Sequence, residues 1–259
     1  MSKKLEGRIY VVTGSTQGLG EAVALRLSEE GAAGIVVTGR NKDRGLKVVS
    51  QLEKQGTQSI FVPAELQKHE DVMAIIPACE KRFGRLDGLC NVAGLSTRGN
   101  LDNTTVELWD TLFDVNVRAP FFLMQGAAKL MRKNKKGGAI ASISSQSSHG
   151  GQPFLTPYSA SKGALGVLTR NVANSLRKDR IRVNAINLGW SHTPGEEVVQ
   201  KSDGSPADWL AKAEARQPFG RLIYPKDVAA LMAYLMSDDA EMMTGALIDF
   251  DQNVAGTYD

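Results

Sequence analysis

Tyr158 and Lys162 stand four residues apart in Thr156-Pro157-Tyr158-Ser159-Ala160-Ser161-Lys162. That spacing puts both side chains on one face of a helix, one turn apart. Thr156 as N-cap with Pro157 at the first helical position predicts that helix. A free phenol titrates near 10, too high for a base at neutral pH, but a neighbouring ammonium favours the phenolate and lowers the value. Tyrosine then becomes a usable general acid/base. Taken alone, the pair also reads as two surface residues.

Two further residues extend the constellation. Ser145 lies thirteen positions before Tyr158, at the end of the β-rich run Ala139 to Ser144, and α/β sheets present ligand sites at such ends. Its hydroxyl could hold a substrate oxygen, with Ser144, Ser147 and Ser148 as rivals. Asn116 sits in Phe113-Asp114-Val115-Asn116-Val117-Arg118-Ala119-Pro120, inside a helical pattern running to about Met131. In an α-helix its carbonyl would accept from the N–H of residue 120, and proline has none. The helix is expected to kink there and leave a carbonyl free to hold a water; a harmless proline kink is the other reading.

A second motif points to a dinucleotide. The run Ile9 to Thr13 is followed by Gly14-Ser15-Thr16-Gln17-Gly18-Leu19-Gly20, and apolar Leu19, Val23 and Leu27 then recur at four-residue spacing. A glycine-rich loop opening a helix offers backbone N–H groups and a helix dipole to a pyrophosphate. Without a ligand the same glycines would make a tight strand-to-helix turn. About 20 residues further on, dinucleotide sites usually carry a carboxylate for the ribose 2′-OH. Here Thr38-Gly39-Arg40-Asn41 has none. Arg40 can instead neutralise and hydrogen-bond a 2′-phosphate, which favours NADP with NAD as the alternative, unless it is only a solvated residue at a strand end.

These groups need a scaffold, and the rest of the chain describes one. Short apolar runs at Ile9 to Thr13, Ile35 to Thr38, Ser59 to Val62, Leu86 to Val92, Ala139 to Ser144, Arg182 to Ile186 and Ala246 to Phe250 alternate with helical patterns. Seven strands so spaced predict parallel βαβ units wound into one doubly wound, Rossmann-like α/β sheet covered on both faces. No linker or repeat interrupts residues 1–259, so one domain is expected, with polar Lys201 to Asp208 as a candidate lid. Of the 259 residues 42% are hydrophobic and 23% charged, with a formal net charge of +3, ordinary globular values that exclude disordered and disulfide-scaffold classes. The densest basic cluster, Lys133, Lys135 and Lys136, reads as a solvated helix end and not a nucleic-acid patch. No apolar run reaches 18 residues, so no membrane is expected and the location is expected to be cytoplasmic. Cys79 and Cys90 lack any metal-ligand spacing and read as buried thiols, with no metal expected.

Together these residues resemble the short-chain dehydrogenase/reductase family in its compact form, from about Lys4 to Val254. Thr13-Gly14-x-x-x-Gly18-x-Gly20 matches the cofactor loop. Asn91-Val92-Ala93-Gly94 matches the family's Asn-Asn-Ala-Gly with Val in the second place. Asn116, Ser145, Tyr158 and Lys162 match the catalytic tetrad in order and spacing. The resemblance implies Tyr158 as acid/base, Ser145 on the substrate oxygen, Lys162 on the nicotinamide ribose and lowering the Tyr158 pKa, and Asn116 positioning a water through its carbonyl. It further implies cofactor contacts from Gly14, Ser15, Gln17, Gly18, Leu19, Gly20, Arg40, Asn91, Ala93, Gly94, Gly189 and Thr193. Glu65-Leu66 stands where the family has Asp-Val against adenine, and Leu188-Gly189 where it has Pro-Gly, which frees φ at residue 188 and could redirect the substrate loop.

The activity implied is reversible hydride transfer between nicotinamide and an alcohol or carbonyl carbon, by a homotetramer with one interface around Thr105 to Lys133 and Pro157 to Arg177. Enoyl-reductase relatives, which place Tyr and Lys differently, and sugar-epimerase relatives, with another glycine spacing and a longer C-terminal domain, do not fit. Substrate-facing positions carried over are Leu95, Ser96, Gln146, Ser147, His149, Leu155, Trp190 and the loop Pro194 to Phe219, a polar set that suits a sugar or polyol better than a steroid. A noncatalytic cofactor-sensing regulator on the same fold is the competing expectation.

Overall fold

The computed structural model describes residues 3–254. Seven strands form one sheet in the order β3-β2-β1-β4-β5-β6-β7, every pairing parallel. They are β1 Ile9–Val12, β2 Gly34–Gly39, β3 Gln58–Pro63, β4 Gly88–Asn91, β5 Gly138–Ile143, β6 Ile181–Leu188 and β7 Leu247–Phe250. Each expected run is therefore a strand, shifted by a residue or two at its ends. Leu188 stays in the ladder opposite Phe250, and the Gly189 N–H donates to the Phe250 carbonyl at 3.0 Å. The leucine at the proline position thus extends β6, and the chain leaves the sheet only after Gly189.

Alternation along the strands sends side chains to two cores. Tyr10, Val12, Ile35 and Val37 face Val23 and Leu27 of α1 (Gly18–Glu29), Val48 and Leu52 of α2 (Lys42–Lys54), and Val228 and Met232 of α9 (Pro225–Met236). Ile9, Val11, Val36 and Leu89 face Ile75 of α3 (His69–Phe83), Leu123 of α5 (Ala119–Asn134) and Leu165 of α6 (Thr156–Leu176). A fully buried leucine such as Leu27 contributes roughly 1.5–3 kcal/mol. Both thiols are buried; burial pushes the Cys79 pKa up to about 12 and Cys90 higher still. Lys133 pairs with Glu80 and Lys135 takes the left-handed turn that ends α5, the solvated helix end expected of that cluster. No helix of the described residues is long and apolar enough to cross a membrane.

Two local features position chemistry. After α4 (Val106–Phe113) the helix widens into a π-turn over Asp114–Arg118, where the Ala119 N–H reaches back five residues to the Asp114 carbonyl. Pro120, which cannot donate to residue 116, explains why the widening falls here. At α6 the expected cap moves by one. Leu155 is the N-cap, Thr156 is already helical, and its hydroxyl donates to the Pro153 carbonyl at 2.9 Å. The reason is tertiary: the Thr156 N–H is taken by the Gly99 carbonyl at 3.0 Å.

Candidate active site

Both cavities open at the carboxyl ends of the strands, beside the β1/β4 reversal in strand order, where doubly wound sheets bind ligands. The first is a cleft of about 240 Å³ over β1, β2 and β3, and its floor is backbone. Gly14 has φ +64°, and a Cβ there would stand 2.9 Å from the Ala93 Cα. A Cβ on Gly18, at φ +58°, would come to 3.3 Å from Pro194. A Cβ on Gly20 would lie 2.3 Å from the Gly14 carbonyl oxygen. The glycine spacing thus brings the β1 turn, the start of α1 and the loop after β4 closer than side chains allow. Thr13 stitches that loop, its Oγ1 accepting from the N–H groups of Val92 at 3.0 Å and Ala93 at 3.1 Å.

Most of the expected cofactor residues meet here. Gly14, Gln17, Gly18, Leu19, Gly20, Arg40, Glu65, Leu66, Ala93, Gly94 and Thr193 all line the cleft. Ser15 and Asn91 do not. Ser15 is wholly buried, its Oγ donating to the Val12 carbonyl at 2.6 Å and accepting from the Thr38 N–H at 3.0 Å, so it locks β1 to β2. Asn91 is buried in β4 and donates to Ser142 Oγ at 3.3 Å, while its Oδ1 has no partner. Glu65 Oε2 pairs with Lys68 at 2.9 Å.

Arg44 is the cleft residue that the sequence did not single out. It lies in the first turn of α2, whose N-cap Asn41 accepts from its backbone N–H at 2.9 Å. Its guanidinium lines the cleft with Arg40 and donates to Gln17 Oε1. The available signal was the i, i+4 spacing from Arg40 across a helix cap.

The second cavity, about 700 Å³, holds the other constellation. Ser145, Tyr158, Lys162 and Gly189 line it, and Gly189, which lies here and not in the first cleft, packs so close to Asp251 that a Cβ on it would stand 2.3 Å from the carboxyl carbon. Ser145 Oγ accepts from the Ser147 N–H at 3.1 Å, which leaves its own O–H to point elsewhere. Its rivals are spent: Ser144 donates to the Lys162 carbonyl at 3.3 Å, Ser147 to Gln152 at 2.6 Å and Ser148 to Asn187 at 3.4 Å. Asn116 is buried behind the site. Its side-chain amide pairs with both backbone groups of Leu95, accepting from N–H and donating to C=O at 2.9 Å each, and also donates to Ser161 at 3.0 Å.

Lys162 is 3% exposed, and its ammonium donates to the Ile143 carbonyl at 2.8 Å and sits 5.7 Å from the centre of the Tyr158 ring. Burial lowers its pKa to about 8. The Tyr158 pKa is not lowered as expected but raised. Burial of the phenol is the largest cause, a hydrogen bond with Ser145 opposes it, and the Glu196 carboxylate adds to it. A low-dielectric surround penalises the phenolate more than its neighbours here stabilise it.

Of the expected substrate positions, Leu95, Ser96, Gln146, Ser147, Leu155 and Trp190 line this cavity, with Gly195, Glu196, Val199, Gln200 and Gln217 from the loop. His149 does not; its Nε2 is 3.0 Å from Asp249 Oδ1. The loop is two short helices, α7 (Pro194–Ser202) and α8 (Trp209–Ala215). Arg98, from the loop after β4, reaches Asp203 beyond α7 at 2.7 Å. Asp251 and Asn253, after β7, complete the wall; the sequence carried no signal for them, since only the sheet returns them to the site.

A family model described as enoyl-(acyl carrier protein) reductase matches residues 14–252. A short-chain type dehydrogenase/reductase from Mycobacterium marinum, of known structure, superposes with a TM-score of 0.86 at 25% identity, covering 99% of this chain and 98% of that one. The chain is a short-chain dehydrogenase/reductase. Among its relatives in that family, an NADP-dependent (R)-specific alcohol dehydrogenase from Lentilactobacillus kefiri is 32% identical over 95% of this chain and 96% of its own length. A 3beta-hydroxysteroid dehydrogenase from Mediterraneibacter gnavus is 31% identical over 96% and 95%. This short-chain dehydrogenase/reductase is accordingly an enzyme acting on alcohol and carbonyl groups with a nicotinamide cofactor, which sets aside the noncatalytic regulator. Among the described residues no cluster of three or more His, Cys, Asp or Glu could hold a metal.

Proposed function

We propose that this enzyme prefers NADP(H) and interconverts a secondary alcohol and a ketone on a hydroxylated small molecule of the sugar or polyol type. The observation that carries the cofactor preference is the pair Arg40 and Arg44 at the end of β2, where Thr38-Gly39-Arg40-Asn41 offers no carboxylate. Two guanidiniums suit a 2′-phosphate, and each charge-assisted contact contributes roughly 1.5–3 kcal/mol. The residues present fit the cofactor: the glycine cradle leaves room that a single Cβ would fill, and backbone N–H groups at the start of α1 suit a pyrophosphate. When bound, the nicotinamide supplies or accepts the hydride.

The chain's own residues would handle the oxygen and the proton. Ser145, whose oxygen is already an acceptor for Ser147, donates its O–H to the substrate oxygen. Tyr158 gives or takes the proton at its phenol oxygen. Lys162 would bind the nicotinamide ribose and favour the phenolate once charge and solvent in the site change. Asn116 shapes the Leu95 turn with its side chain and offers its carbonyl, in the π-turn, to the water that links Lys162 to solvent. Glu65, Leu66 and Thr193 would meet adenine and the nicotinamide carboxamide. The polar lining, with Gln146, Gln152, Gln200 and Gln217, favours a hydroxylated substrate.

A homotetramer is proposed as well, supported by exposed Val106 and Trp109 on α4 and Val167 on α6, and a reducing, cytoplasmic location suits two unpaired cysteines. The test is oxidation of NADPH and NADH with ketones and ketoses, and the reverse reaction with their alcohols, in wild type, Arg40→Ala and Arg44→Ala at one salt concentration. Wild type should favour NADP(H), and each variant should weaken NADP(H) by about ten- to a hundredfold while hardly touching NAD(H). Equal losses for both cofactors, or a wild type that favours NAD(H), would refute the preference. Gly39→Asp is not a clean converse, because its Cβ would stand 2.7 Å from the Thr16 methyl.

A further inference from the structure

Glu196 is the carboxylate on the cavity wall nearest in effect to the reacting phenol, and the fold holds it with unusual care. It sits in the first turn of α7, where the N-cap Thr193 accepts from its backbone N–H at 3.0 Å. One of its oxygens, Oε1, accepts from the Trp190 indole at 2.9 Å and from the Gln200 amide at 2.6 Å. Gln200 is itself buried and pinned by the Ser205 hydroxyl at 2.6 Å. Among the described residues nothing donates to the second oxygen, Oε2. A carboxylate fixed by two donors on one oxygen, in a cavity shared with Ser145 and Tyr158, presents the other oxygen as a ready acceptor.

The charges around it narrow what it can accept from. Arg98, the one guanidinium lining this cavity among the described residues, is neutralised by Asp203 at 2.7 Å. Lys162 is committed to the Ile143 carbonyl. Asp251 adds a second carboxylate to the wall. An anionic substrate would meet two carboxylates and no free cation, and a mono-alcohol would bring no donor to the second oxygen of Glu196.

We propose that Glu196 is the specificity-determining residue for a second substrate hydroxyl, accepting it at Oε2, so that the enzyme selects polyols and hydroxyketones over mono-alcohols and over hydroxy acids. This deepens the proposed function and rests on it. The measurement is kcat/KM for carbon-matched pairs, butane-2,3-diol with butan-2-ol and a pentitol with pentan-2-ol, in wild type and Glu196→Gln. Because Trp190 and Gln200 both donate to the first oxygen, the amide of the variant must place its NH₂ where Oε2 stood. A donor replaces the acceptor with almost no change of shape.

Wild type should prefer the polyol member by at least about tenfold, and the variant should lose about that preference through the polyol's KM. Lactate should be turned over less well than butan-2-ol by wild type, a bias that the variant relaxes. A ratio unchanged by Glu196→Gln, with its Tm within about two degrees of wild type, would show a merely structural role and overturn the inference alone. Preference of wild type for the mono-alcohol or for lactate would do the same. No turnover of any member with either cofactor overturns the proposed function and this inference together.

Discussion

The two cavities lie side by side at the carboxyl ends of the strands yet are made of different material. The cofactor cleft has a floor of backbone, its narrowest approaches set by Gly14, Gly18 and Gly20, all from one short segment, with side chains such as Arg40, Arg44 and Glu65 around that floor. The substrate cavity is built from side chains drawn from the loop after β4, the end of β5, α6, α7 and the segment after β7. A backbone cradle recognises what every dinucleotide shares, a pyrophosphate, and tolerates no side chain. A side-chain wall can be rewritten residue by residue without disturbing the sheet. One fold can thus keep its cofactor chemistry while its substrate changes.

The largest expected effect breaks chemistry without touching the cradle. Tyr158→Phe removes only the oxygen proposed to carry the proton, so kcat should fall about 10²- to 10⁴-fold while the cofactor Kd, measured by fluorescence titration, barely moves. Activity above about a tenth of wild type would take Tyr158 out of its proposed role. The opposite separation comes from Gly20→Ala. Its Cβ would stand 2.3 Å from the Gly14 carbonyl oxygen, so backbone must move, at a cost of roughly 1–3 kcal/mol and a Tm lower by about 2–4 °C for each kcal/mol in a protein of this size. Cofactor affinity should drop with it. A variant with wild-type Tm and Kd would mean that the cradle is softer than its contacts imply.

The smallest effect sharpens the comparison at Lys162, a buried cation on the wall of the substrate cavity. Burial lowers the Lys162 pKa from 10.5 to about 8, so between those values the unfolded chain holds a proton that the folded one lacks. Stability from this group therefore rises with pH across that window and is lost as pH falls through about 8. In the cofactor-free protein, the stability of wild type relative to Lys162→Met should improve by about 1.4 kcal/mol between pH 7 and 9. A pH-independent difference in urea midpoints would mean that Lys162 is not desolvated as described. The same variant should lose turnover, which makes Lys162 a residue kept for function against its own burial cost.

Much of this protein could be read without its coordinates, and the reasons are local. The seven strands announced themselves because a doubly covered parallel sheet needs continuous apolar runs, and its helices keep a 3.6-residue period. The proline at 120 foretold the break in the helix at Asn116, because a missing N–H is a property of one residue. The glycine loop and the one-turn spacing of Tyr158 and Lys162 were legible from residue type and position, while the roles proposed for Asn116, Ser145, Tyr158 and Lys162 came from the family resemblance. What the sequence could not show was whatever depended on surroundings: Ser15, expected as a ligand contact, spends its hydroxyl inside the sheet, Asn91 lies buried in β4 with its amide on Ser142 and its Oδ1 unpartnered, and His149, expected as a pocket wall, turns to Asp249.

By itself, then, the sequence determined the winding of the sheet and the glycine turn after β1, and put Tyr158 and Lys162 one helical turn apart, since each follows from short-range backbone rules or fixed helical spacing. Only the tertiary structure decided how the hydroxyls of four neighbouring serines are spent, that burial and not Lys162 sets the direction of the Tyr158 pKa, and that Arg44 and Asp251 stand in the site. Hydrogen-bond allocation and desolvation depend on every neighbour in space. Residues separated by tens or hundreds of positions become neighbours only when the sheet has closed over them.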